Sequence, residues 1–196
     1  MSLFRLIGGS AVNESQNPSA LRSKQQIIEA LLKLMEIYPY KEISVKQIIM
    51  ETDLVRKTFY RNFTSKDDVF DAYINMKVYE YTEALLDEKN PLDVIFRFCD
   101  KNRKMLELLH KNDMMHILLR RLNEIIPHIN KSVDFDRNPF KQLIGSLEPD
   151  YLIAFNVGAI WNVICKWVER GMNEPFDKVK KVLEEYIARL NIPVSE

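Results

Sequence analysis

Apolar positions recur along this chain every three to four residues, and nowhere alternate with a period of two over a length that suits a strand. Ile27, Ile28, Leu31, Leu34, Met35 and Tyr38 make one stripe, which predicts a helix from Ser23 until Pro39 stops it. Ser44 followed three residues later by Gln47 has the form of a capping box and predicts a short helix from Val45 to Glu51. Thr52, Asp53 and Leu54 read as a tight turn, and a second short helix follows from Val55 to Phe63. Within it Phe59 and Phe63 lie four apart on one face, with Val55 a turn earlier, so this face is an apolar wedge. Ser65 is placed to cap the next helix, with Asp68 at its third position, and that helix runs over 66–87.

The helical period continues to the end. Asn90-Pro91 opens a helix, since proline is tolerated at a first helical position. Asn112-Asp113 breaks the pattern, and Pro127 is expected to end or kink the helix after that break. Residues 131–148 are mixed in character. Pro149 opens a helix to Arg170, Gly171 suits its C-terminal cap, and Pro175 opens a last helix to Leu190. The expected organisation is all-α. A polar arm over 1–21, rich in Gly, Ser and Asn, precedes a three-helix helix-turn-helix unit over 22–68 and a helical regulatory and dimerisation bundle over 69–196.

Charge divides the same way. The chain is neutral overall, but residues 1–66 hold ten Lys/Arg against six Asp/Glu, and residues 67–196 hold eighteen against twenty-two. A basic beginning on an acidic remainder points to an anionic partner for the first part alone. No apolar run is long enough to span a membrane, and F-R-L-I near the start is too short for the apolar core of a signal peptide. Two cysteines, Cys99 and Cys165, far apart in sequence, fit a reducing, cytoplasmic setting.

The cations gather on the short helix at 55–63. Opposite its apolar wedge lie Lys57 and Arg61, four apart, with Thr58 and Tyr60 at the margins and Arg56 at the start. The major groove admits one helix. There Arg and Lys pair with guanine, Thr reaches a base edge or a thymine methyl, and flanking hydroxyls and cations hold phosphates. Lys66 opens the following helix, where backbone N–H groups already favour a phosphate. A basic face by itself more often means only a solvated surface. Two short helices joined by a three-residue turn, backed by an apolar helix, make it a helix-turn-helix whose second helix enters the groove.

The stretch I-S-V-K-Q-I-I-M-E-T-D-L-V-R-K-T-F-Y-R-N-F-T-S-K-D-D-V, residues 43–69, resembles the TetR family of transcriptional regulators, most specifically in T-F-Y-x-x-F-x-x-K. The likeness extends from Ser23 to Val69. More loosely, G-A-I-W-N-V-I-C-K-W-V-E-R-G-M within 151–176 is similar to the C-terminal bodies of some members. The resemblance implies an all-helical homodimer that binds a palindromic operator on double-stranded DNA, most often as a repressor, and is released by a small-molecule effector. Carried over by position, Thr58, Tyr60 and Lys66 contact DNA, while Arg56 and Lys57 occupy base-reading positions. Ser44, at the head of the first short helix, and Arg61 complete the candidate contact set. Two positions depart from the family pattern. Asp53 stands where a turn Gly is usual, implying a left-handed residue at some cost. Val55 stands where a capping Ser or Thr is common, a loss of roughly 1 kcal/mol.

In the body, the helix at 149–170 is apolar nearly all round, through Leu152, Ile153, Phe155, Val157, Ile160, Trp161, Val163, Ile164 and Val168. Such a helix is buried on more than one side. Gly158-Ala159 would admit a close neighbour. The last helix carries Phe176, Val179, Leu183, Tyr186, Ile187 and Leu190 on one stripe. Phe155, Ala159, Trp161, Val179, Leu183 and Tyr186 are therefore the candidate dimer residues. Phe96, Met105, Met114, Met115, Trp161 and Cys165 suit a pocket wall, but residues of this kind at helical spacing are more often plain core, so no residue is assigned to a ligand. His110, His116 and His128 lack metal-ligand spacing, and Cys99 and Cys165 read as buried, inert thiols more readily than as redox sensors. With no P-loop, G-x-S-x-G or dinucleotide fingerprint, neither an enzyme nor a cofactor is expected. The competing reading is a helical adaptor that works mainly through a protein partner at 150–170.

Overall fold

The computed structural model describes residues 18–87, 91–129 and 149–190. The expected arm up to residue 17 and the mixed segment 131–148 lie outside the described residues. Nine helices and one 3-10 turn are present among those described: α1 (Pro18–Ile37), the turn Tyr40–Glu42, α2 (Val45–Met50), α3 (Arg56–Asn62), α4 (Lys66–Asp87), α5 (Pro91–Lys101), α6 (Arg103–Lys111), α7 (Met115–Ile129), α8 (Pro149–Glu169) and α9 (Phe176–Leu190). The chain divides into two compact units, and the division falls inside α4, between Tyr79 and Glu80.

In the first unit α1 packs against α2 and α3. Its stripe of Ile27, Ile28, Leu31, Leu34 and Met35 is buried as expected, but Tyr38 lies past the helix end and is exposed. The helix begins at Pro18 rather than Ser23, so residues 18–21 belong to α1 and not to an arm. Ser23 sits inside it, its hydroxyl donating to the Ser19 carbonyl at 2.9 Å. A serine that bonds back one turn hides an early helix start from a periodicity reading. Ile48, Phe59, Phe63, Phe70 and Ile74 complete the core. Burial of each such side chain contributes roughly 1.5–3 kcal/mol.

In the second unit α8 packs on α6, α7 and α9, and α9 packs on α5. The stretch 91–111 is two helices, not one. Asn102 is buried, and its side-chain amide donates to the Phe98 carbonyl at 2.9 Å, which separates α5 from α6. The break at Asn112-Asp113 is a left-handed cap. Asp113 has φ 56°, and the N–H groups of Asp113 and Met114 return to the carbonyls of His110 and Leu109. Gly171, at φ 73°, ends α8 in the same way, with the N–H groups of Gly171 and Met172 donating to Val168 and Trp167. Pro127 does not end α7, which continues to Ile129.

Candidate nucleic-acid interface

The site is built on α2, α3 and the start of α4. The capping box at Ser44 forms as expected: Gln47 N–H donates to Ser44 Oγ at 3.3 Å, and Ser44 N–H donates to Gln47 Oε1 at 2.9 Å. The Ser44 hydroxyl also donates to Gln47 Oε1 at 2.7 Å, so its bonding is local. That starts α2 firmly and leaves a lone pair as the hydroxyl's remaining capacity toward DNA.

The turn between α2 and α3 departs from expectation. Among the described non-glycine residues, positive φ occurs at Asp113 and Met172, so Asp53 is not left-handed. Thr52 closes the turn instead. Its hydroxyl donates to the Ile49 carbonyl at 2.9 Å and accepts from Leu54 N–H at 3.3 Å. A threonine side chain that bridges the turn removes the need for a residue of unusual backbone geometry.

Helix α3 is seven residues long, too short to hold by itself. Phe59 and Phe63 fix it to the core, their ring centres 6.3 Å apart. Val55 does not join them. It is the N-cap, extended in backbone, 67% exposed, and makes no side-chain cap bond, which bears out the missing cap. A residue at the cap lies before the first helical turn, so the helical period does not govern where it points.

The remaining side of α3 is polar and open. Arg56, Lys57, Tyr60 and Arg61 are exposed, and Thr58 is half-buried. Arg56 lies with its guanidinium carbon 5.4 Å from the centre of the Tyr60 ring. Asn62 donates to the Thr58 carbonyl at 2.8 Å and completes the last turn.

The start of α4 is doubly tied. Asp68 N–H donates to Ser65 Oγ at 3.1 Å, and Thr64 N–H donates to the Asp68 carboxylate at 2.8 Å. Lys66 does more than open this helix. Its ammonium donates to the Tyr40 carbonyl at 2.7 Å and lies 4.5 Å from the centre of the Tyr40 ring. The Tyr40 hydroxyl in turn donates to Asp67, and its ring tilts against Phe70 at 5.3 Å. Burial, and then the bond to Asp67, push the Tyr40 phenol well above the usual tyrosine range. Sequence reasoning missed Tyr40 because twenty-six residues separate it from Lys66, and no helical spacing links residues so far apart.

Elsewhere, the candidate dimer residues separate. Phe155 and Tyr186 are 69% and 56% exposed, and Ala159 is exposed. Val179 and Leu183 are half-buried. Trp161 is only 4% exposed, so it is a core residue of its own unit and leaves the interface set. Tyr151 and Val182, exposed on the same two helices, were not anticipated. The Leu152 and Leu190 side chains lie outside the described residues, as does that of His128. Cys99 is buried, and its thiol is pushed far up by burial first. Cys165 is half-buried, and burial raises it too. Neither has the lowered pKa of a redox-sensing thiolate. Among the described residues no helix is long and apolar enough to cross a membrane, and no cluster of metal-ligating side chains occurs.

Residues 27–73 match the family described as "Bacterial regulatory proteins, tetR family". That span covers α1 from Ile27 onward, α2, α3 and the first part of α4. Among solved structures the chain is similar to "Dihydroxyacetone kinase operon activator DhaS", at TM-score 0.55 and 19% identity, over 86% of this chain and 95% of that one. At that identity the likeness shows a shared fold. No curated protein matches the chain.

Proposed function

We propose that this chain, a tetR-family regulator of transcription by its residues 27–73, acts as a homodimer that reads a near-palindromic operator and represses from it. The observation that carries the reading is α3. Two buried phenylalanines clamp a seven-residue helix, and the side they leave open bears Arg56, Lys57 and Arg61. A short rigid helix with cations turned outward suits the major groove, where Arg56 and Lys57 would read bases and Thr58, Tyr60, Arg61 and Lys66 would hold phosphates. Ser44 N–H and hydroxyl are committed to the cap, so Ser44 contributes by setting where α2 begins.

The second subunit would cover the outer faces of α8 and α9. Tyr151, Phe155 and Ala159 recur every four residues on α8, as do Val182 and Tyr186 on α9, and all are exposed. A Cβ added at Gly158 would meet nothing within 4 Å, so a neighbouring helix has room to approach closely there. Exposed apolar residues in such rows are characteristic of an interface. Two recognition helices brought together this way would meet half-sites roughly 34–36 Å apart. Repression follows where the operator overlaps a promoter, and release by a small molecule bound within the second unit completes the reading. The protein would work in the cytoplasm, with the DNA.

The experiment is selection of bound sequences from a random duplex pool, with the mass of the free protein measured by light scattering. The reading expects a dimer and an enriched palindrome. A folded dimer that enriches nothing at low salt would overturn it. A monomer that captures a protein partner in place of DNA would favour the adaptor.

A further inference from the structure

Arg56 and Tyr60 lie four residues apart on α3, where side chains meet. The Arg56 guanidinium rests over the Tyr60 ring, 5.4 Å from its centre. The Tyr60 ring in turn meets the Phe59 ring edge-on at 5.3 Å, and Phe59 is wholly buried. A line of contacts therefore runs from the core of the first unit, through Tyr60, to a cation at the open side of the helix. Tyr60 is itself 48% exposed, so its ring is a shelf that reaches outward and not a core side chain.

An arginine at the start of an exposed helix ordinarily samples many rotamers. A planar guanidinium stacked on an aromatic face gives up part of that freedom before any ligand arrives. A donor fork held in one orientation loses less entropy on binding and discriminates better between acceptor patterns than a free one.

We infer that Tyr60 is a positioning residue for Arg56: its ring, steadied by Phe59, orients the guanidinium toward one base pair, so Tyr60 sets sequence preference through Arg56. This rests on the DNA-reading function proposed above and deepens it. It separates two roles within one side chain, the hydroxyl toward a phosphate and the ring toward Arg56.

The test uses the full chain and the operator that selection yields. Binding to that operator and to each of its single-base variants is measured for the wild type, R56A, Y60F, Y60L, Y60Q and the double variant R56A/Y60L. R56A, at an exposed position, identifies the base pair Arg56 reads. Y60L and Y60Q are expected to lose discrimination at that same pair by about two- to five-fold, the range of an exposed cation–π contact. Y60F is expected to keep the preference while total affinity falls. Y60L added to R56A is expected to remove no further preference there. Thermal unfolding checks each fold, and Y60Q, suited to a half-exposed position, stands in where Y60L unfolds. A uniform loss across all variants of the operator with preference intact in Y60L and Y60Q would overturn the inference alone, as would a loss of preference in Y60F. A wild-type protein that enriches no sequence would overturn the parent reading, and Arg56 as a reader with it.

Discussion

Lys66 holds Tyr40 twice, donating to its carbonyl at 2.7 Å and lying 4.5 Å from the centre of its ring. The 3-10 turn after α1 is thereby pinned to the first turn of α4. The residue expected to grip a phosphate is also part of the scaffold that shapes the site. An ammonium has three donors, so a phosphate and the Tyr40 carbonyl can be served together.

Lys66→Ala is therefore expected to do two things. It should lower the stability of the first unit by about 1–2 kcal/mol, from the bond to the Tyr40 carbonyl, a longer one to the Lys41 carbonyl and one cation–π contact. It should also weaken DNA binding alike on all sequences and make the salt dependence shallower by about one phosphate's worth. Urea unfolding and binding at several salt concentrations measure the two separately. An unchanged salt slope would leave Lys66 as a latch alone.

The Tyr40 phenol carries a pH consequence. Burial first, then Asp67, raise its folded-state pKa above the ordinary value of about 10. A raised pKa means that the folded state favours the protonated form. The stability this confers is fully present below pH ~10 and is lost as pH rises toward the folded-state value. Tyr40→Phe cannot ionise, so the stability gap between wild type and variant should narrow above pH ~10 and stay constant from pH 6 to 9. Denaturant midpoints across that range decide it. A gap that widens with pH would contradict the assigned cause.

The α2–α3 turn offers a paired test. Asp53 has no left-handed backbone to relieve, so Asp53→Gly should destabilise by roughly 0.5 kcal/mol through added freedom of the unfolded chain. Thr52→Ala removes the hydroxyl that bridges Ile49 and Leu54 and should cost about 1 kcal/mol. Thermal melts of the two variants rank them. A stabilising Asp53→Gly would show that the turn is strained at that residue after all.

Trp161 and Phe155 should part company. Trp161→Ala empties a core position and should cost roughly 3–5 kcal/mol. Phe155→Glu places a charge on an exposed face and should leave the fold of the chain intact while producing a monomer that binds the operator weakly. Light scattering with a thermal melt reads both. A Phe155→Glu protein that remains dimeric would move the interface away from α8.

What the sequence alone determined was whatever depends on local spacing. The capping box at Ser44 and Gln47, the uncapped Val55, the Phe59–Phe63 wedge and the glycine cap at Gly171 involve residues within one or two turns of each other, and helix geometry decides such relations before any tertiary contact forms. The T-F-Y-x-x-F-x-x-K pattern is equally compact, which is why the resemblance to a family was legible in so short a stretch. Tertiary structure decided everything that turns on which face of a helix finds a partner. On α8, Trp161 and Phe155 are both large aromatics on a helix apolar nearly all round, and only packing against α6, α7 and α9 buries one and leaves the other in solvent. The same holds for Lys66, whose partner Tyr40 is distant in sequence, and for Asn102, whose bond to Phe98 splits a helix that periodicity joined. Hydrophobic period states that a face is apolar. The choice between core and interface is made by what lies opposite, and for that the chain must be folded.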